Sequence, residues 1–89
     1  LEFYAEWCEI CKEMASEVTE LKEDFDSEIN FVFLNVDNPK WDKFIKQFKV
    51  NGIPQINFFD SNSKLQATFT GLQEEETLKN SINNLIEAV

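Results

Sequence analysis

Two residues separate Cys8 from Cys11, the only cysteines of this 89-residue chain, and the pair lies where an apolar stretch gives way to a helical pattern. Near a helix start, unpaired backbone N–H groups and the helix dipole favour a negative charge, so a cysteine there is held partly as the thiolate. The second sulfur is then close enough to attack a mixed disulfide formed at Cys8. The spacing predicts thiol–disulfide exchange, with Cys8 as an exposed nucleophile and Cys11 as a more buried resolving thiol.

A static structural disulfide is the first alternative to a reactive dithiol. Because a bridge across two residues closes a very small loop, it removes little chain entropy from the unfolded state, and we favour the functional interpretation. A copper carrier is the second alternative, since a Cys-x-x-Cys pair binds soft Cu(I). Such carriers usually have the element order βαββαβ, which the pattern of this chain does not follow.

The composition narrows the remaining chemistry. The chain has no histidine, which removes Ser-His and Cys-His nucleophile–base pairs, and two cysteines are too few for an ordinary structural zinc site. No flavin, nicotinamide or phosphate-loop fingerprint is present, so we expect no cofactor and no metal, with electrons passing through thiols. Seventeen acidic residues against eight basic ones give a formal charge of −9, which disfavours nucleic-acid binding.

The length and apolar content predict one small domain over residues 1–89, which we expect to be monomeric. The longest uninterrupted apolar run, Phe31–Leu34, is far shorter than the roughly 20 residues that span a bilayer. Because the chain begins at Leu1 rather than Met, we expect a fragment or a processed form, with any membrane anchor upstream.

The strand pattern predicts the element order βαβαββα. Strands are expected over Leu1–Ala5 and Ile29–Val36, and the second is nearly continuous in apolar character, which suits a strand covered on both faces. Turn residues join a hairpin of Gln55–Phe59 and Leu65–Thr70. This order implies an α/β fold with a mixed four-stranded sheet, helices on both faces and the cysteines at the carboxyl end of a central strand.

Apolar residues at helical spacing predict three helices. The first begins near Ile10, and its apolar face comprises Cys11, Met14, Val18, Leu21 and Phe25. The second carries an aromatic stripe that we interpret as core rather than as a cofactor site, formed by Trp41, Phe44 and Phe48. The last opens with three glutamates at 74–76, and its apolar side comprises Leu78, Ile82, Leu85, Ile86 and Val89.

Four short blocks resemble those of the thioredoxin family, in its order and at about its spacing: Ala5-Glu6-Trp7-Cys8-x-x-Cys11, Leu34-Asn35-Val36-Asp37, Gly52-Ile53-Pro54 and Thr70-Gly71. The resemblance implies a thioredoxin fold that lacks the N-terminal strand and helix, with the second strand at an unprotected sheet edge. It also implies a thiol–disulfide oxidoreductase that acts on disulfide-containing proteins through a redox-active center.

The resemblance further implies a substrate-contact surface. The Ile53-Pro54 bond is similar to the cis-proline loop of the family, which faces the nucleophile and offers backbone groups of Ile53 to a client peptide. A proline that merely begins a strand is the alternative. Four more residues would complete a shallow apolar surface, each with packing or a turn as its alternative role: Trp7, Gly52, Gly71 and Leu72.

Glu2 falls where thioredoxins carry a buried carboxylate below the second cysteine. Strand alternation lets its side chain lie on the face covered by the first helix, where burial would raise its pKa towards the range useful for proton transfer with Cys11. The family residue is usually Asp, and Phe33 occupies the position where many members place a lysine partner. A carboxylate that turns to water is the alternative.

Glu9-Ile10 between the cysteines and the run Phe31–Trp41 resemble the membrane-anchored thioredoxin-like proteins of cyanobacteria and plastid thylakoids. This implies a membrane-anchored reductase in the thylakoid lumen or a periplasm-like space, with a cytoplasmic protein as the alternative. Its electron donor would be a membrane thiol transporter. Its clients would include apocytochromes, in cytochrome c biogenesis and electron transport.

The charges near the motif predict the direction of electron flow. Glu6 and Glu9 are nearby anions and no histidine supports the Cys8 thiolate, so we expect a reducing protein. A non-catalytic binding or chaperone module with a vestigial disulfide is the alternative from another functional class. The intact Trp-Cys-x-x-Cys and Gly-Ile-Pro blocks favour the enzyme.

Overall fold

The computed structural model describes residues 1–87, so Val89, an expected apolar position of the last helix, lies outside the described residues. The strands are β1 (Glu2–Tyr4), β2 (Phe33–Asn35), β3 (Gln55–Phe59) and β4 (Leu65–Thr70). The helices are α1 (Glu9–Phe25), α2 (Asp42–Gln47), preceded by a 3-10 turn at Pro39–Trp41, and α3 (Glu75–Glu87). The predicted order βαβαββα is confirmed.

The four strands form one mixed sheet in the order β2-β1-β3-β4. β1 runs parallel to β2 and antiparallel to β3, and β3 and β4 form the antiparallel hairpin. β1 is therefore a central strand, and its carboxyl end leads directly into α1. The prediction that the cysteines lie at the carboxyl end of a central strand is confirmed.

Helices cover both faces of this sheet. On one face, Ile56 and Phe58 of β3 pack in a core with residues of α1 and α3, namely Met14, Leu21, Leu78 and Ile82. On the other face, Phe3 packs on Phe48 at the end of α2, with 6.2 Å between the ring centroids. Alternation along each strand produces this division, because successive side chains point to opposite faces.

β2 differs from its prediction. The strand is only three residues long instead of eight, and Val32 and Phe33 remain 47% and 40% exposed. β2 lies at the edge of the sheet, hydrogen-bonded to β1 on one side only, and its two faces are covered unequally, since Leu34 is 5% exposed. The prediction of a strand covered on both faces is wrong, whereas the expected edge position is found.

The aromatic stripe of the second helix also differs from its prediction. Trp41 and Phe48 are half-buried and Phe44 is exposed, so the stripe is not a buried core. α2 has only six residues and contacts the sheet mainly through Phe48, which also meets Phe59 edge-to-face at 5.4 Å. The other rings line an open cavity of about 650 Å³, called here the aromatic cavity, together with Phe31 and Phe33.

Candidate active site

Cys8 occupies the N-cap of α1, immediately before the first helical residue. Its backbone is extended, with φ −81° and ψ 107°, which turns the side chain back over the first turn. The Cys11 N–H donates a hydrogen bond to the Cys8 sulfur at 3.2 Å, and the Lys12 N–H donates to the Cys8 carbonyl oxygen at 3.1 Å. An N-cap side chain normally accepts such a bond from the first turn, and here the acceptor is sulfur.

Cys8 and Cys11 form a disulfide, with their Cα atoms 5.2 Å apart. The expected proximity of the two sulfurs is therefore confirmed, and the structure represents the oxidised state of the dithiol. In this state neither sulfur titrates, because both are bonded.

The exposure of Cys8 differs from its prediction. In the disulfide form Cys8 is 6% and Cys11 is 8% exposed, so both are buried and Cys11 is not the more buried of the two. The cause is the N-cap geometry, which directs the Cys8 sulfur inward, into a cluster with Ala5, Tyr4, Val36 and Ile53. The prediction of an exposed Cys8 is wrong for the oxidised state.

The loop that contains Pro54 lies next to the cysteine pair, although the two are more than 40 positions apart in the sequence. The Ile53–Pro54 bond is cis, and the Ile53 carbonyl oxygen lies 3.9 Å from the Cys8 sulfur. The Pro54 carbonyl accepts a hydrogen bond from the Gly71 N–H at 2.8 Å. Gly71 has φ +86°, in the left-handed region that favours glycine.

Gly52 lies next to the end of β4, because a methyl group built on its Cα would be 3.5 Å from Thr70 Cγ2. All four sequence blocks thus meet at one end of the sheet, since Val36 of the Leu34–Asp37 block packs against the cysteine cluster. The fold brings together chain segments that composition and periodicity alone could not connect.

Large apolar side chains remain exposed at this end of the molecule. Trp7, which precedes Cys8, is 64% exposed, Leu72 follows Gly71 and is 55% exposed, and Ile10 is 40% exposed. The indole N–H of Trp7 donates to Asp37 Oδ2 at 2.8 Å, which fixes the orientation of the ring. The sequence pattern did not single out Ile10 as an exposed residue or Asp37 as the partner of Trp7, and the only signal for Asp37 was its place in the Leu34–Asp37 block.

Glu2 is half-buried on β1, opposite Ile56 of β3. Because Ile56 belongs to the core formed with α1 and α3, the Glu2 side chain lies on the face that α1 covers, as the strand alternation predicted. Burial raises the pKa of Glu2 to about 7, against the opposing attraction of the Leu1 ammonium. This carboxyl group therefore exchanges its proton near neutral pH.

Within residues 1–87 no group of three or more His, Cys, Asp or Glu side chains is arranged to hold a metal ion. No helix in the same part of the chain has the length and apolar character that crossing a membrane requires.

The sequence matches the Thioredoxin family over residues 1–84. It is 38% identical over 85 residues to the chloroplastic thioredoxin-like protein HCF164 of Arabidopsis thaliana, an alignment that covers 96% of this chain and 33% of that protein. It is 36% identical over 88 residues to the thiol:disulfide interchange protein TxlA of Synechococcus elongatus, covering 99% and 46%. The chain thus spans about a third to a half of the length of these relatives.

Among solved structures, mitochondrial thioredoxin 3 of Saccharomyces cerevisiae in its oxidised form has a TM-score of 0.81 at 26% identity, over 94% of this chain and 74% of that one. The predicted fold class and the predicted resemblance to plastid and cyanobacterial thioredoxin-like proteins are both confirmed. The chain belongs to the thioredoxin family.

Proposed function

We propose that the chain reduces disulfides of client proteins, with Cys8 as the nucleophile and Cys11 as the resolving thiol. The observation that carries this proposal is the environment of the Cys8 sulfur at the N-cap of α1. It accepts a hydrogen bond from the Cys11 N–H at 3.2 Å, and that donor and the helix dipole both stabilise a thiolate at this atom. Cys11 is already within bonding reach.

The reaction has two exchange steps. The Cys8 thiolate attacks one sulfur of the client disulfide, which breaks the client S–S bond, forms a Cys8–client bond and releases one client thiolate that takes up a proton. Cys11 then loses its proton and attacks the Cys8 sulfur, which breaks the Cys8–client bond, releases the second client sulfur as a thiolate that takes up a proton, and leaves the Cys8–Cys11 disulfide. Two electrons pass from the chain to the client, one of the two protons that the client gains comes from Cys11 and the other from solvent, and an external dithiol must reduce the chain again.

Glu2 is the proposed proton acceptor for Cys11 in the second step. Its pKa of about 7 suits this role, because a general base is most effective when its pKa lies near the working pH. Glu2→Gln keeps the size of the side chain and removes the titrating group. We expect this variant to remain folded and to resolve mixed disulfides more slowly, and an unchanged rate would remove Glu2 from the mechanism.

Two segments form the proposed client-binding surface around the disulfide. The cis-proline loop, with Gly52, Ile53 and Pro54, offers the Ile53 carbonyl to an extended client backbone. The exposed apolar groups of Trp7 and Leu72, with Gly71 holding the second loop close to Pro54, contact client side chains.

The direction of electron transfer is proposed to be reducing. Glu6 and Glu9 flank the Trp7-Cys8 pair, and these exposed anions partly offset the stabilisation that the N-cap gives the Cys8 thiolate, so the reduced protein is not strongly favoured. We expect a dithiol potential near the roughly −270 mV of thioredoxin, and a value near the roughly −120 mV of a strong periplasmic oxidant would reverse the assignment. Equilibration with glutathione or dithiothreitol buffers measures it.

The names of the relatives support a more specific cellular role. One relative is chloroplastic and another is a thiol:disulfide interchange protein, so we propose that this chain works in a thylakoid lumen or a periplasm-like space, held at the membrane. Its proposed electron donor is a membrane thiol transporter, and its proposed clients include apocytochromes of cytochrome c biogenesis. Cys11→Ser should accumulate mixed disulfides in cells, and mass spectrometry of the trapped proteins identifies the clients.

Insulin reduction in the presence of dithiothreitol tests the central activity. The chain should accelerate the precipitation of the insulin B chain, and Cys8→Ser should not. Retained binding of unfolded chains without any acceleration would instead favour a non-catalytic binding module.

A further inference from the structure

Two amide side chains are buried on β3, the strand that follows the proline loop. Gln55 is 3% and Asn57 is 2% exposed. Both lie on the face of the sheet that α2 covers, because the strand register sets Gln55 opposite Phe3, whose ring packs on Phe48. Burial of an amide costs free energy unless its polar atoms are hydrogen-bonded, so the partners of these side chains are fixed contacts of the fold.

The Gln55 amide connects the two ends of the loop that carries Pro54. Its Nε2 donates one hydrogen bond to the Phe48 carbonyl oxygen at 3.1 Å and another to Asn57 Oδ1 at 3.1 Å. An amide nitrogen has two N–H groups, and both are used here. Phe48 is the C-cap of α2 and Gln55 is the first residue of β3, so one side chain closes the segment 49–54.

Other hydrogen bonds of this loop also lie at its ends. On the side of α2, the Val50 N–H donates to a carbonyl oxygen of that helix at 3.0 Å. On the side of β3, the Pro54 carbonyl oxygen accepts from the Gly71 N–H at 2.8 Å. The Ile53 carbonyl oxygen lies between these ends, 3.9 Å from the Cys8 sulfur. Its position over the disulfide therefore depends on how firmly the ends of the loop are fixed.

We propose that Gln55 is a positioning residue for client binding, because its amide fixes the loop that offers the Ile53 carbonyl to the client. This inference rests on the proposed reductase function and concerns the client-binding part of that site. Loss of both donors leaves the Phe48 carbonyl and Asn57 Oδ1 without this partner, and the loop shifts to relieve them. A displaced Ile53 carbonyl pairs less well with a client backbone, whereas a small disulfide without a peptide backbone loses no such contact.

The variant Gln55→Met tests the proposal, since it keeps the length of the side chain and removes both donors. With insulin as the client, KM should rise about tenfold and kcat should remain nearly unchanged, which is the pattern that a loss of substrate binding produces. The rate with dipyridyl disulfide, which has no peptide backbone, should stay within about twofold of that of the unsubstituted chain. Gln55→Asn, an amide that is one methylene shorter, replaces Gln55→Met if the latter does not fold, with the same expected changes.

Leu78→Ala is the matched control for lost stability. Leu78 is buried on the opposite face of the sheet, in the core with α1 and α3, so its truncation destabilises the chain without changing the Gln55 contacts. Below its unfolding temperature, this variant should keep its KM for insulin. Hydrogen exchange reports the loop directly: the Gly71 amide should exchange faster relative to the amides of α1 in Gln55→Met, but not in Leu78→Ala.

An unchanged KM for insulin in the folded Gln55→Met variant, or an equal loss of rate with insulin and with dipyridyl disulfide, would overturn the role of Gln55 and leave the reductase function in place. A similar rise of KM in Leu78→Ala would assign the effect to stability and would also overturn that role. Failure of the unsubstituted chain to reduce insulin would overturn the proposed function itself.

Discussion

The cysteine end of the sheet and the β2–α2 side are built by different interactions. At the cysteine end, distant segments meet through short polar contacts, such as Trp7 to Asp37 at 2.8 Å and Gly71 to Pro54 at 2.8 Å. On the β2–α2 side, an open cavity of about 650 Å³ is lined by aromatic rings and by aliphatic side chains that include Leu21 and Leu78, and Phe33 and Phe44 remain exposed. Backbone geometry and hydrogen bonds thus position the reactive sulfur, whereas apolar burial on the β2–α2 side is incomplete.

The largest expected effect is on the rate of disulfide reduction, which should depend on the cysteine end and not on the β2–α2 side. Cys8→Ser should lower the rate of insulin reduction by at least roughly a thousandfold, because the attacking thiolate is lost. Phe44→Ala, on the wall of the aromatic cavity, is the control and should retain nearly full activity. A comparable loss in Phe44→Ala would show that the β2–α2 side contributes to the site.

Stability distinguishes the buried core from the aromatic stripe. Leu21 is 2% exposed between α1 and the sheet, so Leu21→Ala should lower the free energy of unfolding by about 2–5 kcal/mol. Phe44→Ala should lower it by less, about 1–2 kcal/mol, since the ring is 36% exposed and packs on Trp41 with 6.0 Å between the ring centroids. Urea unfolding followed by circular dichroism measures both, and equal losses would contradict the described difference in burial.

Glu2 makes stability depend on pH. Its pKa is about 7 in the folded chain and 4.5 when unperturbed, so the folded state binds more protons between these values and stability falls as pH rises from 4.5 to 7. The loss is at most about 3 kcal/mol, and partial solvation of the carboxylate reduces it. Glu2→Gln should flatten this part of the stability profile, and a profile that keeps its slope would contradict the assigned burial.

The smallest effect concerns the two glycines of the site. Gly71→Ala should lower the free energy of unfolding by about 1 kcal/mol, because φ +86° is unfavourable for a residue with a Cβ. Gly52→Ala should be nearly neutral, since its new methyl would make only an ordinary contact at 3.5 Å with Thr70. Thermal unfolding of both variants measures the difference, and the reverse order would contradict it.

The sequence predicted the parts of the fold that follow local rules. Helix spacing and N-terminal electrostatics were sufficient to place Cys8 and Cys11 at the start of α1 behind a central strand. Strand alternation was sufficient to place Glu2 on the α1 face. Family resemblance, rather than local pattern, predicted the cis bond before Pro54.

Features that depend on distant neighbours were not predictable. The burial of Cys8 depends partly on Ile53, 45 positions later, and the orientation of Trp7 depends on Asp37. Phe33 is 40% exposed and its neighbour Leu34 is 5% exposed in the same edge strand, so the difference depends on what covers each face of the sheet. An apolar run or an aromatic stripe predicts an apolar face, but it does not predict what packs against that face.

Alkylation of the reduced, folded chain tests most directly whether Cys8 becomes the reactive sulfur once the disulfide is open. Iodoacetamide is added at neutral pH, and peptide mass mapping follows each cysteine over time. We expect Cys8 to be modified at least about ten times faster than Cys11, because the thiolate at the N-cap is the nucleophilic form. Two cysteines that both stay unmodified in the folded state, or a Cys11 that reacts first, would contradict it.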